Sequence, residues 1–229
     1  MQISHRHQFL FVHVPKTAGA SVAAALNRYV DDPKQYLANR LLESIGIRVN
    51  HLIGPAHWRR FRGHSGLRTA KRVLPSAVYE RMFKFAFVRN PWDLLVSRYH
   101  FLLRTRKHRQ HKRVVRLGNF SNYVRWHAAR RGGTQWEMLA DTSGQLLAND
   151  LGRFENLNED FLRIQLQIGI PPVPLQHRNA TERKDYRCYY DDATAELVAT
   201  RWRQDVEGFG YTFDGAIGTM NSPPKRMAA

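Results

Sequence analysis

The run Phe9-Leu10-Phe11-Val12-His13-Val14-Pro15-Lys16-Thr17-Ala18-Gly19-Ala20-Ser21 limits what this chain can fold into more than any other feature. Residues 9–14 are apolar and rich in aromatic and β-branched types, with only His13 polar, which predicts a buried strand. Pro15 ends its ladder because it has no backbone donor. Gly19 then gives the loop conformations closed to other residues, and residues 21–26 have the propensity of a helix. A helix that starts here aims unpaired N–H groups and the positive end of its dipole at the loop, which makes an anion site. Lys16 adds a mobile positive charge, while Thr17 and Ser21 offer hydroxyl donors to the same oxygens.

A second segment, Lys84-Phe85-Ala86-Phe87-Val88-Arg89-Asn90-Pro91-Trp92-Asp93, repeats the pattern. Residues 85–88 read as a buried strand, Asn90 as an N-cap, and Pro91 sits where a first helical turn accepts it. Trp92, Leu95, Val96, Tyr99 and Leu103 recur at helical spacing, so one face packs inward. Arg89 therefore lies at the carboxyl end of a strand, where ligands bind in open α/β sheets, and Ser97 two turns on can face the same crevice. Asp93 is a first-turn residue favoured by the helix dipole. Two anion-binding strand ends suggest a ligand with two phosphates.

The usual mononucleotide loop, G-x-x-x-x-G-K-[ST], is not met, because Lys16 precedes Gly19 and no glycine opens the loop. Instead, Pro-Lys-Thr-Ala-Gly-x-Ser resembles the 5′-phosphosulfate loop of sulfotransferases that use 3′-phosphoadenosine 5′-phosphosulfate (PAPS), in particular the carbohydrate (heparan/chondroitin-type) group. That loop has Thr or Ser where this chain has Ala20, so one hydroxyl donor is absent and backbone donation has to compensate. Arg-Asn-Pro-Trp-Asp-x-Leu-Val-Ser-x-Tyr resembles the family's 3′-phosphate segment, which assigns Arg89 and Ser97 to that phosphate. By the same resemblance, Pro15, Lys16, Thr17, Ala18, Gly19, Ala20 and Ser21 form the 5′ loop. The implied fold is a P-loop nucleotide-hydrolase-like one: α/β, with a mostly parallel sheet flanked by helices on both faces, as alternating strands and helices also predict.

Transfer of a sulfuryl group to an alcohol requires a base for the alcohol's proton, and histidine is the commonest near neutral pH. Among eleven histidines, His64 stands out at an element boundary, after Gly63 and before Ser65, which can cap a following helix. The family has a base histidine at a comparable place, and His-x-x-x-x-x-Ala-x-x-Val is similar to its pattern. His51, His57 and His13 are the reserves, His13 the weakest because alternation would bury it in the first strand. Residues 175–187 form a polar loop. In related enzymes a basic loop near this point closes over the cofactor, which makes Arg183 a candidate, with Thr181 and Asn179 behind it. The implied reaction is in-line transfer from PAPS to a hydroxyl, most naturally on a carbohydrate, leaving adenosine 3′,5′-bisphosphate. Lys16 would neutralise charge on the leaving oxygen, His64 would be the base, and no metal is required.

With 229 residues, 43% of them hydrophobic, a single domain over residues 1–213 is expected, followed by a disordered tail over 214–229. Cys188 alone excludes a disulfide framework. No secretory signal or membrane span is evident, and since animal members of the resembled group are usually anchored in the Golgi by an N-terminal helix, the resemblance implies a cytoplasmic, bacterial protein. The formal net charge is +17, enough for a positive field over much of the surface. Eight Lys or Arg fall between Arg98 and Arg116 without an acid. Such a block reads as a solvated, partly disordered run, as an acceptor-binding edge for a polyanionic glycan, or as a nonspecific nucleic-acid contact, and peripheral contact with anionic surfaces also fits it. Elsewhere, helices are expected over residues 33–44, 68–73, 77–82 and 120–130, the last capped by Ser121. Gly152-Arg153-Phe154-Glu155-Asn156-Leu157 reads as a strand end entering a helix to about Ile168, with Glu155 as structural support. A final helix, capped by Asp191 or Asp192, buries Leu197, Val198, Trp202 and Val206. Two other functions fit less of the chain: a nucleotide-dependent phosphotransferase, whose loop spacing and magnesium-binding Asp are missing, and a non-catalytic basic nucleic-acid-binding protein, supported by charge alone.

Overall fold

The apolar strand runs and the helical periodicity between them produce an α/β chain in the computed structural model. It describes residues 1–32, 37–46, 52–53, 57–60, 64–130, 132–175 and 183–216. His51, Asn179, Thr181 and residues 217–229 of the expected tail lie outside the described residues. In chain order the elements are β1 (Gln2–Ser4), β2 (Phe9–Val12), α1 (Gly19–Leu26), α2 (Leu37–Ser44), β3 (Leu52–Ile53), β4 (His57–Arg60), α3 (Leu67–Val73), α4 (Ser76–Arg81), β5 (Phe83–Val88), α5 (Pro91–Arg104), α6 (His111–Leu117), α7 (Phe120–Ala128), α8 (Trp136–Leu139), β6 (Asp150–Arg153), α9 (Leu157–Gln167), α10 (Asp192–Arg201), α11 (Arg203–Gly208), β7 (Tyr211–Thr212) and β8 (Gly215–Ala216). The described residues gather into two compact units, one from residues 1–87 and 137–175, the other from residues 88–136 and 183–216.

The first unit is built on the sheet β1-β2-β5-β6. β1 is antiparallel to β2, and β2 runs parallel to β5 with Phe9 opposite Phe83 and Val12 opposite Ala86. The expected architecture, a mostly parallel sheet with helices around it, is present. Strand alternation sends Phe9, Phe11, Phe85 and Phe87 to one face, where they pack with Val22 and Leu26 of α1 and with Phe161, Ile164, Ile168 and Ile170. Leu10, Val12, Ala86 and Val88, on the opposite face, are equally buried, which is why both strands read as continuous apolar runs rather than alternating ones. Gly152 has to be glycine, because a Cβ there would stand 2.3 Å from the Phe87 ring. Lys84 is buried in β5, its Nζ donating to the carbonyls of Tyr79 (3.1 Å) and Met82 (2.8 Å) at the end of α4.

In the second unit, the Asn90 side chain accepts from the amides of Trp92 (3.0 Å) and Asp93 (3.5 Å), so α5 starts where the sequence predicts. Its buried stripe is Trp92, Leu95, Val96, Tyr99 and Leu102. The sequence expectation chose Leu103 for the last place, but Leu102, seven residues and so almost two turns after Leu95, is the one turned inward. Tyr99 meets the rings of Phe120 (5.4 Å) and Tyr123 (5.1 Å) from α7. α7 is capped by Asn119, which accepts from Asn122 N, rather than by Ser121. Ser121 instead donates to Asp191. Asp191 and Thr194 form a capping box on α10, whose buried line is Thr194, Val198 and Trp202. Leu197 and Val206, expected in that line, are half-buried. The basic run 98–116 is mostly helical, spread over the end of α5, a turn and α6. Residues 215–216, assigned from sequence to the tail, pair as β8 with β7.

Candidate functional site

In the first unit, the chain leaves β2 at Val12 and enters α1 at Gly19. Between them, Lys16 (φ 68°) and Ala18 (φ 62°) are in the left-handed region that residues with a Cβ seldom occupy. Ala18 precedes the helix with no side-chain cap. Its carbonyl accepts from Ser21 N (2.9 Å) and Val22 N (3.2 Å), so the amides of Gly19 and Ala20 belong to the helix start that has no intrahelical partner. Gly19 plays a different part from the one expected. Its φ is not positive; its need is space, because a Cβ there would fall 2.0 Å from Cδ2 of His13. The Thr17 hydroxyl, expected to face a ligand, is buried and donates to the Val14 carbonyl (3.0 Å), which fastens the loop to the strand end. Ser21 is buried, Ala20 exposed, and Pro15 and Lys16 half-buried.

His64 meets this loop through His13. The strand ends at Val12, so His13 lies beyond it and is half-buried rather than enclosed as alternation suggested. Its ring stands edge-on to the His64 ring, 4.9 Å between centroids. His64 Nδ1 lies 3.1 Å from the His13 carbonyl oxygen. A carbonyl only accepts, so this bond puts the proton on Nδ1 and leaves Nε2 with a lone pair. The imidazole is exposed. Burial, and then the neighbouring His64, push His13 down to about 4, so His13 is neutral at physiological pH. Ser65 does not cap α3; Gly66 occupies that place without a side-chain bond. His57 lies on β4.

In the second unit, Arg89 is one residue beyond β5. Both of its backbone groups are bonded by the Gln135 amide: Arg89 N donates to Oε1 (2.9 Å), and Nε2 donates to the Arg89 carbonyl (2.7 Å). Gln135 is held in turn by its own amide, which donates to Asp205 (2.9 Å). The Arg89 guanidinium reaches Asp93 through Nε (2.8 Å) and Nη2 (2.7 Å), and Arg183 binds the other oxygen of the same carboxylate. These three side chains are only 7%, 12% and 13% exposed. Two guanidiniums facing one carboxylate keep a net positive charge in a poorly hydrated place, where it is felt more strongly than in water. The segment after Arg183 also wraps this corner: Tyr186 donates to Phe213 O, Tyr190 Oη to Trp92 O (2.9 Å), and Trp92 Nε1 to Ala195 O (3.0 Å). Ser97 is half-buried on α5.

The loop from β2 into α1 and the buried arginine pair after β5 fall on the two segments whose sequence suggests anion binding. The family model described as the sulfotransferase family matches residues 1–212. The chain belongs to the sulfotransferase family. A search of curated proteins finds no significant match. Among solved structures, mouse sulfotransferase SULT7A1 complexed with PAP aligns at 16% identity and a TM-score of 0.35, covering 89% of this chain and 65% of that one. The chain thus spans somewhat less than two thirds of that protein, and at this distance no residue role is transferred.

Within this member of the family, the structure brings Arg89 and Arg183 together, and joins His64 to the loop that carries Lys16. Sequence reasoning missed Asp93 as their shared anchor. The i, i+4 spacing from Arg89 to Asp93 was the available signal. It also missed Gln135 and Asp205, which carry none. Among the described residues no group of three or more His, Cys, Asp or Glu has metal-binding geometry, and no helix is long and apolar enough to cross a membrane.

Proposed function

We propose that this chain transfers the sulfuryl group of PAPS to a hydroxyl of an acceptor, most simply a carbohydrate. The observation that carries the reading is the convergence of Arg89 and Arg183, 94 positions apart in the sequence, on the single carboxylate of Asp93. That donor set fits a phosphate, because planar guanidiniums bind its oxygens in pairs. Arg89, with Arg183 beside it and Ser97 two turns along α5, is the proposed holder of the 3′-phosphate. Residues 15–21 are the proposed holder of the 5′-phosphate, with the Gly19 and Ala20 amides and the Lys16 ammonium as donors. Ala20, where the resembled loop has a hydroxyl, is exposed and contributes only its amide.

PAPS, when bound, supplies the activated sulfuryl group and departs as adenosine 3′,5′-bisphosphate. The chain's own contribution is placement and charge. Lys16 meets negative charge at the 5′ end, where a fixed cation is most effective if water is excluded. His64 Nε2, freed by the bond from Nδ1 to the His13 carbonyl, takes the proton of the acceptor hydroxyl. The carbohydrate class of the acceptor rests on the resemblance of the two phosphate segments to the carbohydrate group.

Calorimetric titration with adenosine 3′,5′-bisphosphate, beside AMP and ATP, tests the reading. Binding is expected to require the 3′-phosphate and to weaken at least ~10-fold in Arg89→Ala, the loss typical of a charge-assisted pair. Lys16→Ala and His64→Ala are expected to stay folded and lose turnover. Equal binding of AMP, or normal turnover by folded Lys16→Ala, overturns the assignment.

A further inference from the structure

We infer that the surface formed by the end of α5, the turn after it and α6 docks on a lipid bilayer carrying anionic headgroups. From residue 94 to residue 136 the chain has no Asp or Glu and eleven Lys or Arg. Arg104, Arg106, Lys107, Arg109, Lys112, Arg113 and Arg116 are all exposed, and among the described residues none forms an ion pair. A folded surface that held these charges only for solubility would intersperse both signs, because like charges in a block repel one another. The segment is also not loose. His111 Nδ1 bonds the Leu102 carbonyl (2.9 Å), His108 N bonds Thr105 O (2.8 Å), and Val114 is buried, so the cations are displayed from a fixed support.

The choice of a bilayer over other polyanions comes from the apolar side chains among the cations. Phe101 is 40% exposed and Val115 51% exposed. The Phe101 ring is met edge-on by His108, 5.9 Å away. A flexible polyanion would satisfy the charges and leave these two groups in water. A bilayer takes both, cations at the headgroups and apolar side chains at the acyl boundary. The inference does not depend on the proposed reaction, since none of these residues is assigned to it.

The test is co-sedimentation of the full chain with phosphatidylcholine vesicles and with vesicles in which roughly a third of the lipid is phosphatidylglycerol. Binding to the anionic vesicles is expected to be at least ~10-fold tighter and to fall steeply with salt. The variant Lys107→Glu/Arg109→Glu/Lys112→Glu/Arg113→Glu is expected to lose at least ~10-fold. Phe101→Ser/Val115→Ser, at unchanged net charge, is expected to lose several-fold, and it keeps the test decisive if the charge-reversed protein does not fold. Titration with adenosine 3′,5′-bisphosphate is expected to be unchanged in both, which separates this surface from the nucleotide site. Equal binding to neutral and anionic vesicles overturns the inference. So does a Phe101→Ser/Val115→Ser variant that binds vesicles like the parent while duplex DNA or heparin binds as tightly, an outcome that would assign the surface to polyanions in general.

Discussion

The two phosphate candidates are built by opposite means. In the first unit the loop at residues 15–21 is a backbone device: left-handed Lys16 and Ala18, a helix start, and a Thr17 hydroxyl turned inward to hold the shape. In the second unit the corner at Arg89 is a side-chain device: two arginines on one carboxylate, supported by Gln135 and, behind it, Asp205. A backbone site tolerates most side-chain changes and fails when space or φ is violated. A side-chain site fails when one member of its charge set is removed.

The strongest test of that contrast is Asp93→Ala. It leaves the guanidiniums of Arg89 and Arg183 against each other without their common carboxylate, and breaking a buried pair in this way costs about 3–5 kcal/mol. A fall of that size in urea-derived stability is expected, with partial recovery when inorganic phosphate or adenosine 3′,5′-bisphosphate is added, because an anion can occupy the place of the carboxylate. A loss below about 1 kcal/mol would mean that the arginines are hydrated in solution, and that the second site is no more side-chain-built than the first.

In the loop, the corresponding weak point is Gly19. A methyl at 2.0 Å from the His13 ring forces the ring aside, and overpacking of this kind costs about 1–3 kcal/mol. The double-mutant cycle with His13→Ala separates space from backbone: if the ring is the obstacle, His13→Ala cancels most of the Gly19→Ala loss, a coupling read from denaturant midpoints. Additive losses would place the requirement in the backbone instead. Displacing His13 also moves the carbonyl that orients His64, so turnover in Gly19→Ala is expected to fall more than nucleotide affinity does.

Most of the frame was legible because it follows from short-range rules. The continuous apolar runs at residues 9–14 and 85–88 announced strands buried on both faces and Asn90-Pro91 announced the start of α5, although β2 stops at Val12, short of Pro15, and β5 already begins at Phe83. The family reading rested on the same residues. Contacts between distant segments were not legible. Nothing near Arg89 signals that Gln135 will bond its backbone, or that Arg183 will share Asp93, since pairings over such separations depend on how helices pack. From the sequence Gly19 looks like a conformational residue, because φ > 0 is the usual reason for glycine in a loop. The actual reason, the His13 ring, is a tertiary contact that spacing does not encode, and the left-handed positions fell on Lys16 and Ala18, whose residue types give no hint of it.

Those two left-handed residues supply the finest test. An L-residue in this region is disfavoured by about 1–2 kcal/mol relative to glycine, and alanine is a poor residue before a helix start where glycine is accepted. Ala18→Gly should therefore recover about 0.5–1 kcal/mol of stability after the extra freedom of the unfolded chain is subtracted. The same substitution loosens the loop that aims the Gly19 and Ala20 amides, so affinity for adenosine 3′,5′-bisphosphate is expected to drop a few-fold as the ligand has to order it. Stability up with affinity down would show that strain at Ala18 holds the amides in place. If both rise together, the loop's shape comes from the Thr17 to Val14 bond alone, and the left-handed alanine is a cost without a use.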